Sequence, residues 1–113
     1  MNYEEKSDFE INCMVAVAVE PTLNHGFSYE KENGAANFRL CDPIGDDHDA
    51  GTYNFCEDWS AAGPIIVENC ISILAPENGI LEWDAIHHEH SVTNPDNPLR
   101  AAMIVFLKMK EQK

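Results

Sequence analysis

Ile71-Ser72-Ile73-Leu74-Ala75-Pro76-Glu77-Asn78-Gly79-Ile80-Leu81-Glu82-Trp83-Asp84-Ala85-Ile86-His87 is the stretch that decides the fold class. Ile71 to Ala75 is an apolar run of strand length. Pro76-Glu77-Asn78-Gly79 is a four-residue turn with glycine last, which suits type I geometry. Ile80 to His87 then returns as the partner strand. Leu81, Trp83 and Ala85 fall on one face of it, and Ile80, Glu82, Asp84 and Ile86 on the other. Strands joined by so short a turn pair antiparallel, because parallel neighbours need a crossover of about a dozen residues.

Helices are expected on both sides of this hairpin. Downstream, Asn94-Pro95-Asp96-Asn97-Pro98 is a turn in which Asn97 caps a helix and Pro98 takes its first position. That helix runs over 98–110, with Leu99, Met103 and Phe106 or Leu107 on its core face. Upstream, Asp58 or Ser60 caps a second helix over about 61–69, with Pro64 in its first turn and Ile65, Ile66 and Val67 inward. The first helix covers 7–19. Ser7-Asp8-Phe9-Glu10 reads as a capping box, and Cys13 to Val19 is apolar nearly all round, so this helix should be well buried.

The segment 27–52 is less regular. Phe27-Ser28-Tyr29 and Asn37-Phe38-Arg39-Leu40 read as a hairpin turned at Asn33-Gly34. Asp42 to Gly51 has turn formers and no periodicity, and is expected to be an exposed acidic loop. The order is then α-β-β-α-β-β-α, an α+β fold in one small domain of 113 residues, with antiparallel hairpins packed on helices.

Charge limits the partners. The net charge is −13, and between Leu40 and Leu99 there are 12 acidic residues and no lysine or arginine. Nucleic acid and anionic lipid are disfavoured, since both are bound by cations. A basic protein surface is favoured. No apolar run approaches the roughly 18 residues of a membrane span. The acidic start Met1 to Lys6 lacks the basic lead of a signal peptide. A cytosolic protein is expected, with Cys13, Cys41, Cys56 and Cys70 as free thiols.

No catalytic motif is present. Ser60 lies in Trp59-Ser60-Ala61-Ala62-Gly63, not G-x-S-x-G, and no glycine-rich phosphate loop follows a strand. Cys56 beside Glu57 and Asp58 has its thiolate disfavoured by like charge. The sequence predicts a non-enzymatic protein without a cofactor. Its candidate partner-binding residues are Asp42, Asp46, Asp47, Asp49, Glu57, Asp58, Trp59 and Arg100. Arg100, in the first turn of the last helix, opposes the helix dipole and calls for a carboxylate partner, with Glu68 and Asp58 as candidates. A metal site built from His48, His88 and His90 is the alternative, and a homodimer through the apolar last helix is another.

Three segments resemble the NinX-like family of small phage and prophage proteins of uncharacterised function. They are Ser7-Asp8-Phe9-Glu10-Ile11-Asn12 with Val15-Ala16-Val17, then Ala62-Gly63-Pro64-Ile65-Ile66-Val67-Glu68-Asn69 with Ile71-Ser72-Ile73, then Asn97 through Leu107. Spacing and order match over nearly the whole chain. Many relatives carry a tryptophan just before the proline of the second segment, where this chain has Gly63 and places Trp59 four residues earlier. The resemblance implies a phage-encoded protein made inside a bacterial host. It implies no active site. The expected role is an acidic accessory protein that binds a basic host or phage protein, with DNA mimicry as one form of that role.

Overall fold

A computed structural model describes residues 2–41, 44–76 and 82–111. Three helices and two three-stranded antiparallel sheets follow in the order α-β-β-β-α-β-β-β-α. The α+β class is as expected. Each expected hairpin carries a third strand.

Helix α1 spans Asp8–Val19 and begins as read. The Glu10 N–H donates to the Ser7 hydroxyl at 3.2 Å, and the Ser7 N–H donates to the Glu10 carboxylate at 3.1 Å, a reciprocal capping box. Ile11, Asn12, Val15 and Ala16 are fully buried. Strands β1 (Phe27–Glu30), β2 (Ala36–Cys41) and β3 (Asp47–Tyr53) form the first sheet in that order. At the β1–β2 turn, the Ala35 N–H bonds the Glu32 carbonyl, and Asn33 and Gly34 have φ of 49° and 84°. Positive φ at both central positions is the hairpin geometry that Asn-Gly predicts. A Cβ added at Gly34 would lie 2.8 Å from the Asp8 Cβ, so glycine also lets the turn approach the start of α1.

Helix α2 runs Trp59–Glu68, starting earlier than expected. Asp58 is its cap, accepting from the Ser60 N–H at 3.0 Å. Pro64 therefore lies inside the helix rather than in its first turn. It faces solvent, where the loss of one intrahelical N–H is tolerated best. Strands β4 (Ser72–Leu74), β5 (Trp83–His87) and β6 (His90–Asn94) form the second sheet. The expected turn at Pro76 to Gly79 and the faces of Ile80 and Leu81 fall mostly on residues 77–81, outside the described residues. Ala85 pairs with both Ile73 and Val92, giving the sheet an apolar centre.

Helix α3 (Pro98–Glu111) is the spine. Asn97 caps it, accepting from the Arg100 N–H at 3.0 Å. Residues 101–107 are all buried, because α1, α2 and the second sheet each pack on a different side of this helix. The first sheet rests on α1, α1 on α3, and α3 on the second sheet, which makes the molecule long, at 58 × 31 × 25 Å. The apolar face expected to make a dimer is thus consumed in the chain's own core. No helix among the described residues is long and apolar enough to cross a membrane.

Candidate partner-binding surface

The stretch read as an acidic loop is largely strand. Asp47 and Asp49 belong to β3, and Asp46 immediately precedes it. Asp42 lies outside the described residues. The sequence hid this strand because Asp47-His48-Asp49-Ala50-Gly51-Thr52-Tyr53 has no apolar alternation, and its register also breaks. Arg39 faces Asp49 and Phe38 faces Gly51, leaving Ala50 as the extra residue of a bulge. The bulge brings Asp49 and Thr52, three positions apart, onto one face with Asp47.

Cross-strand partners put Phe27, Tyr29, Asn37 and Arg39 on that same outer face. Arg39 Nε bonds Asp47 Oδ2 at 3.1 Å, and Asn37 Nδ2 donates to Asp49 Oδ1 at 3.1 Å. The hydrogen bond from Arg39, then its charge, holds Asp47 below the usual carboxylate range. The Gly51 N–H, then the Asn37 amide, does the same for Asp49. Both carboxylates stay ionised at neutral pH. Being exposed, they add charge to the surface more than stability to the fold.

A second acidic corner lies at the start of α2. Glu57 and Asp58 are exposed, and the Trp59 side chain between them and the helix is 56% exposed. Val67, two turns further along, is 76% exposed. Ile65 is buried and Ile66 packs against the core as expected, joined by Ala62, whereas Val67 does not pack inward. An exposed indole beside carboxylates is the kind of anchor that protein interfaces use.

Arg100 is not on this surface. Its guanidinium turns toward the N-terminal segment, where Nη1 bonds Asp8 Oδ1 at 2.6 Å and Nη2 donates to the backbone carbonyls of Glu4 and Lys6. The carboxylate partner exists, but it is Asp8 rather than Glu68 or Asp58. Behind it lies the thiol of Cys56, which is fully buried. Burial, then the Asp8 carboxylate, pushes that thiol up to about 12, so it is not a nucleophile at neutral pH. The Cys56 backbone is tied on both sides: its N–H donates to Asn12 Oδ1 and its carbonyl accepts from Asn97 Nδ2. Asn12 also donates to the Gly34 carbonyl and to Asn54 Oδ1. This is a structural hub, which the sequence signalled only as an asparagine in an apolar helix.

The histidines divide between the sheets. His48 is on β3 opposite Leu40, whereas His88 lies in the β5–β6 turn and His90 opens β6. His87, His88, Glu89, His90 and Met109 of α3 line a shallow cavity of about 320 Å³, with the His87 and His88 rings edge to face at 4.3 Å. Among the described residues no group of three or more histidine, cysteine, aspartate or glutamate side chains is arranged to hold a metal ion.

Sequence reasoning missed an apolar concavity. A groove of about 620 Å³ opens between α1, β1 and the end of α3, lined by Cys13, Met14, Val17, Phe27, Phe38 and Leu107 among others. Its trace in the sequence was the apolar circumference of α1, which asks for cover on every side. The flank bearing Met14 and Val17 receives only part of that cover.

A comparison with curated proteins finds no significant match. A family model described as Bacteriophage P22, NinX matches residues 2–110, nearly the whole chain. The chain that carries this acidic surface and this groove therefore belongs to the NinX family of phage proteins.

Proposed function

We propose that this phage protein acts without catalysis, by binding a basic surface on a host or phage protein. The observation that carries the reading is the exposed Trp59 between Glu57, Asp58 and the outward face of α2. It lies within a window of sequence, 41–98, that contains no lysine or arginine. Such a surface attracts a basic partner over distance and offers an aromatic anchor on contact. Asp46, Asp47 and Asp49 extend the negative field on the first sheet. The carboxylates that the fold uses are spread over local tasks: Asp58 caps α2, Asp47 holds Arg39, Asp49 holds Asn37. That spread favours recognition of a basic protein over imitation of a phosphate row.

The test is affinity capture from infected and uninfected host lysate at low and high salt, against an equally acidic control protein and the Trp59→Ala variant. The proposal expects a basic protein that is held at low salt, released at high salt, and reduced with Trp59→Ala. Equal capture by the control protein would reduce the charge to a solubility device.

A further inference from the structure

The first sheet ends at β1. Among the described residues β1 pairs only with β2, so its other edge is open along Phe27–Glu30. Beside that edge lies the groove of about 620 Å³, floored by Phe38 and walled by Met14 and Val17 of α1 and Leu107 of α3. The groove takes β1 residues Phe27 and Ser28 into its lining and none from β3, so it belongs to the β1 side of the sheet. On the outer face of the same strand Tyr29 is 45% exposed, and Phe27, 53% exposed, shares that face while also reaching the groove lining. An open edge beside an apolar groove and two exposed aromatic rings is an arrangement that aggregation would exploit unless something occupies or guards it.

We propose that an extended segment of a partner protein, alternating apolar and basic residues, adds to β1 as a fourth strand. Main-chain hydrogen bonds to β1 would supply register, and alternate side chains would enter the groove or lie over Phe27 and Tyr29. A cation suits the outer positions, since Phe27 and Tyr29 are exposed aromatics, Glu30 ends β1, Glu32 follows it and Glu111 lines the groove, while of the nearby cations Arg39 is already held by Asp47 and the others are Lys31 and Lys110. Lys110 in turn sits 5.4 Å from the Phe106 ring centroid. The net charge of −13 argues against a second copy as occupant, because two such chains repel. The inference rests on the basic-partner reading and adds its docking mode.

The probe is a synthetic peptide of about ten residues alternating leucine and lysine, enough to cover a strand of ordinary length. It is titrated into the isotope-labelled full chain by NMR, alongside the same peptide N-methylated at alternate residues. Strand addition expects shifts at the Phe27–Glu30 amides and the Met14 and Val17 methyls. N-methylation on the pairing edge, and separately Val17→Glu, should each weaken binding at least about tenfold, while Trp59→Ala changes it little. The N-methylated peptide keeps the test independent of any folding defect in Val17→Glu. Binding that ignores N-methylation and shifts Glu57 to Val67 or Asp46 to Asp49 would overturn strand addition and leave the basic-partner reading standing. Absence of binding, or shifts at β1 that track protein concentration without peptide, would also overturn it, the latter by showing a second copy on the edge.

Discussion

The first sheet is fastened to its helix by buried polar side chains in addition to the apolar Ala36 and Phe38, the second to its helix by apolar side chains. In the first, Asn12 reaches from α1 to the Gly34 carbonyl, to Asn54 and to the Cys56 N–H, and Asn37 ties β2 to Asp49 and Thr52 of β3. Among the described residues Asn37 Oδ1 is buried without a hydrogen-bond partner, so this network is not fully satisfied there. In the second, Ala85 and Val92 are buried against α3, and the sheet's side-chain bond between Ser91 and Asp84 lies at the surface. Apolar burial is non-directional and tolerates small shifts, whereas a buried amide depends on each of its partners. The first sheet is therefore expected to open more readily, and among the described residues it also carries the groove and the open β1 edge.

Substitution of the spine should abolish the distinction. Ile104, 1% exposed in α3, belongs to the core shared by both halves. Ile104→Ala should cost about 2–5 kcal/mol, and both sheets should melt together in urea when followed by probes on each. Asn12→Ala should sharpen the distinction instead. It leaves the Cys56 N–H and the Gly34 carbonyl without their partner, at a cost of about 2–3 kcal/mol. Hydrogen exchange should then show the loss confined to β1–β3.

Alkaline pH probes the joint between the halves at Cys56. Its thiol has an ordinary value of 9.0 and is raised by burial to about 12 in the fold. A raised value means the stabilisation is complete below pH 9 and is lost as pH climbs toward 12. At pH 10 roughly 1 kcal/mol should be gone. Tyr3, raised by burial and by its bond to Glu111, works in the same direction. Cys56→Ala should flatten the slope measured by denaturation between pH 8 and 10. The smallest effect on stability belongs to Trp59→Ala, within about 0.5 kcal/mol because the indole is 56% exposed. A large loss of stability there would mean that Trp59 belongs to the core and not to a binding surface.

The two halves were also unequally legible in the sequence. Signals with a local cause are readable: the capping box at Ser7, a cap at Asp58 or Ser60 that the fold assigns to Asp58, the cap at Asn97, the Asn33-Gly34 turn. Both third strands went unread. Strand β3 is acidic and bulged at Ala50, so neither apolar alternation nor a constant period marks it. Strand β6 follows a turn in which His88 takes a φ of 52°, a position that glycine or asparagine would have announced. The Arg100 partner was assigned to the wrong helix because the separation from Asp8 to Arg100 spans the chain, and sequence patterns carry no information on such long-range pairs. The groove was legible only as an excess, an α1 with more apolar circumference than the rest of the chain could cover.

Residue-resolved native-state hydrogen exchange of the unmodified chain tests the contrast most directly. The amides of Asn37 and Phe38 in β2 and of Ala85 and Val92 in β5 and β6 are the ones to compare, since all four residues are buried. The polar fastening predicts that the β2 amides exchange through an opening of lower free energy than the global unfolding reported by Ala85 and Val92. Equal protection in the two sheets, or weaker protection in the second, would contradict it.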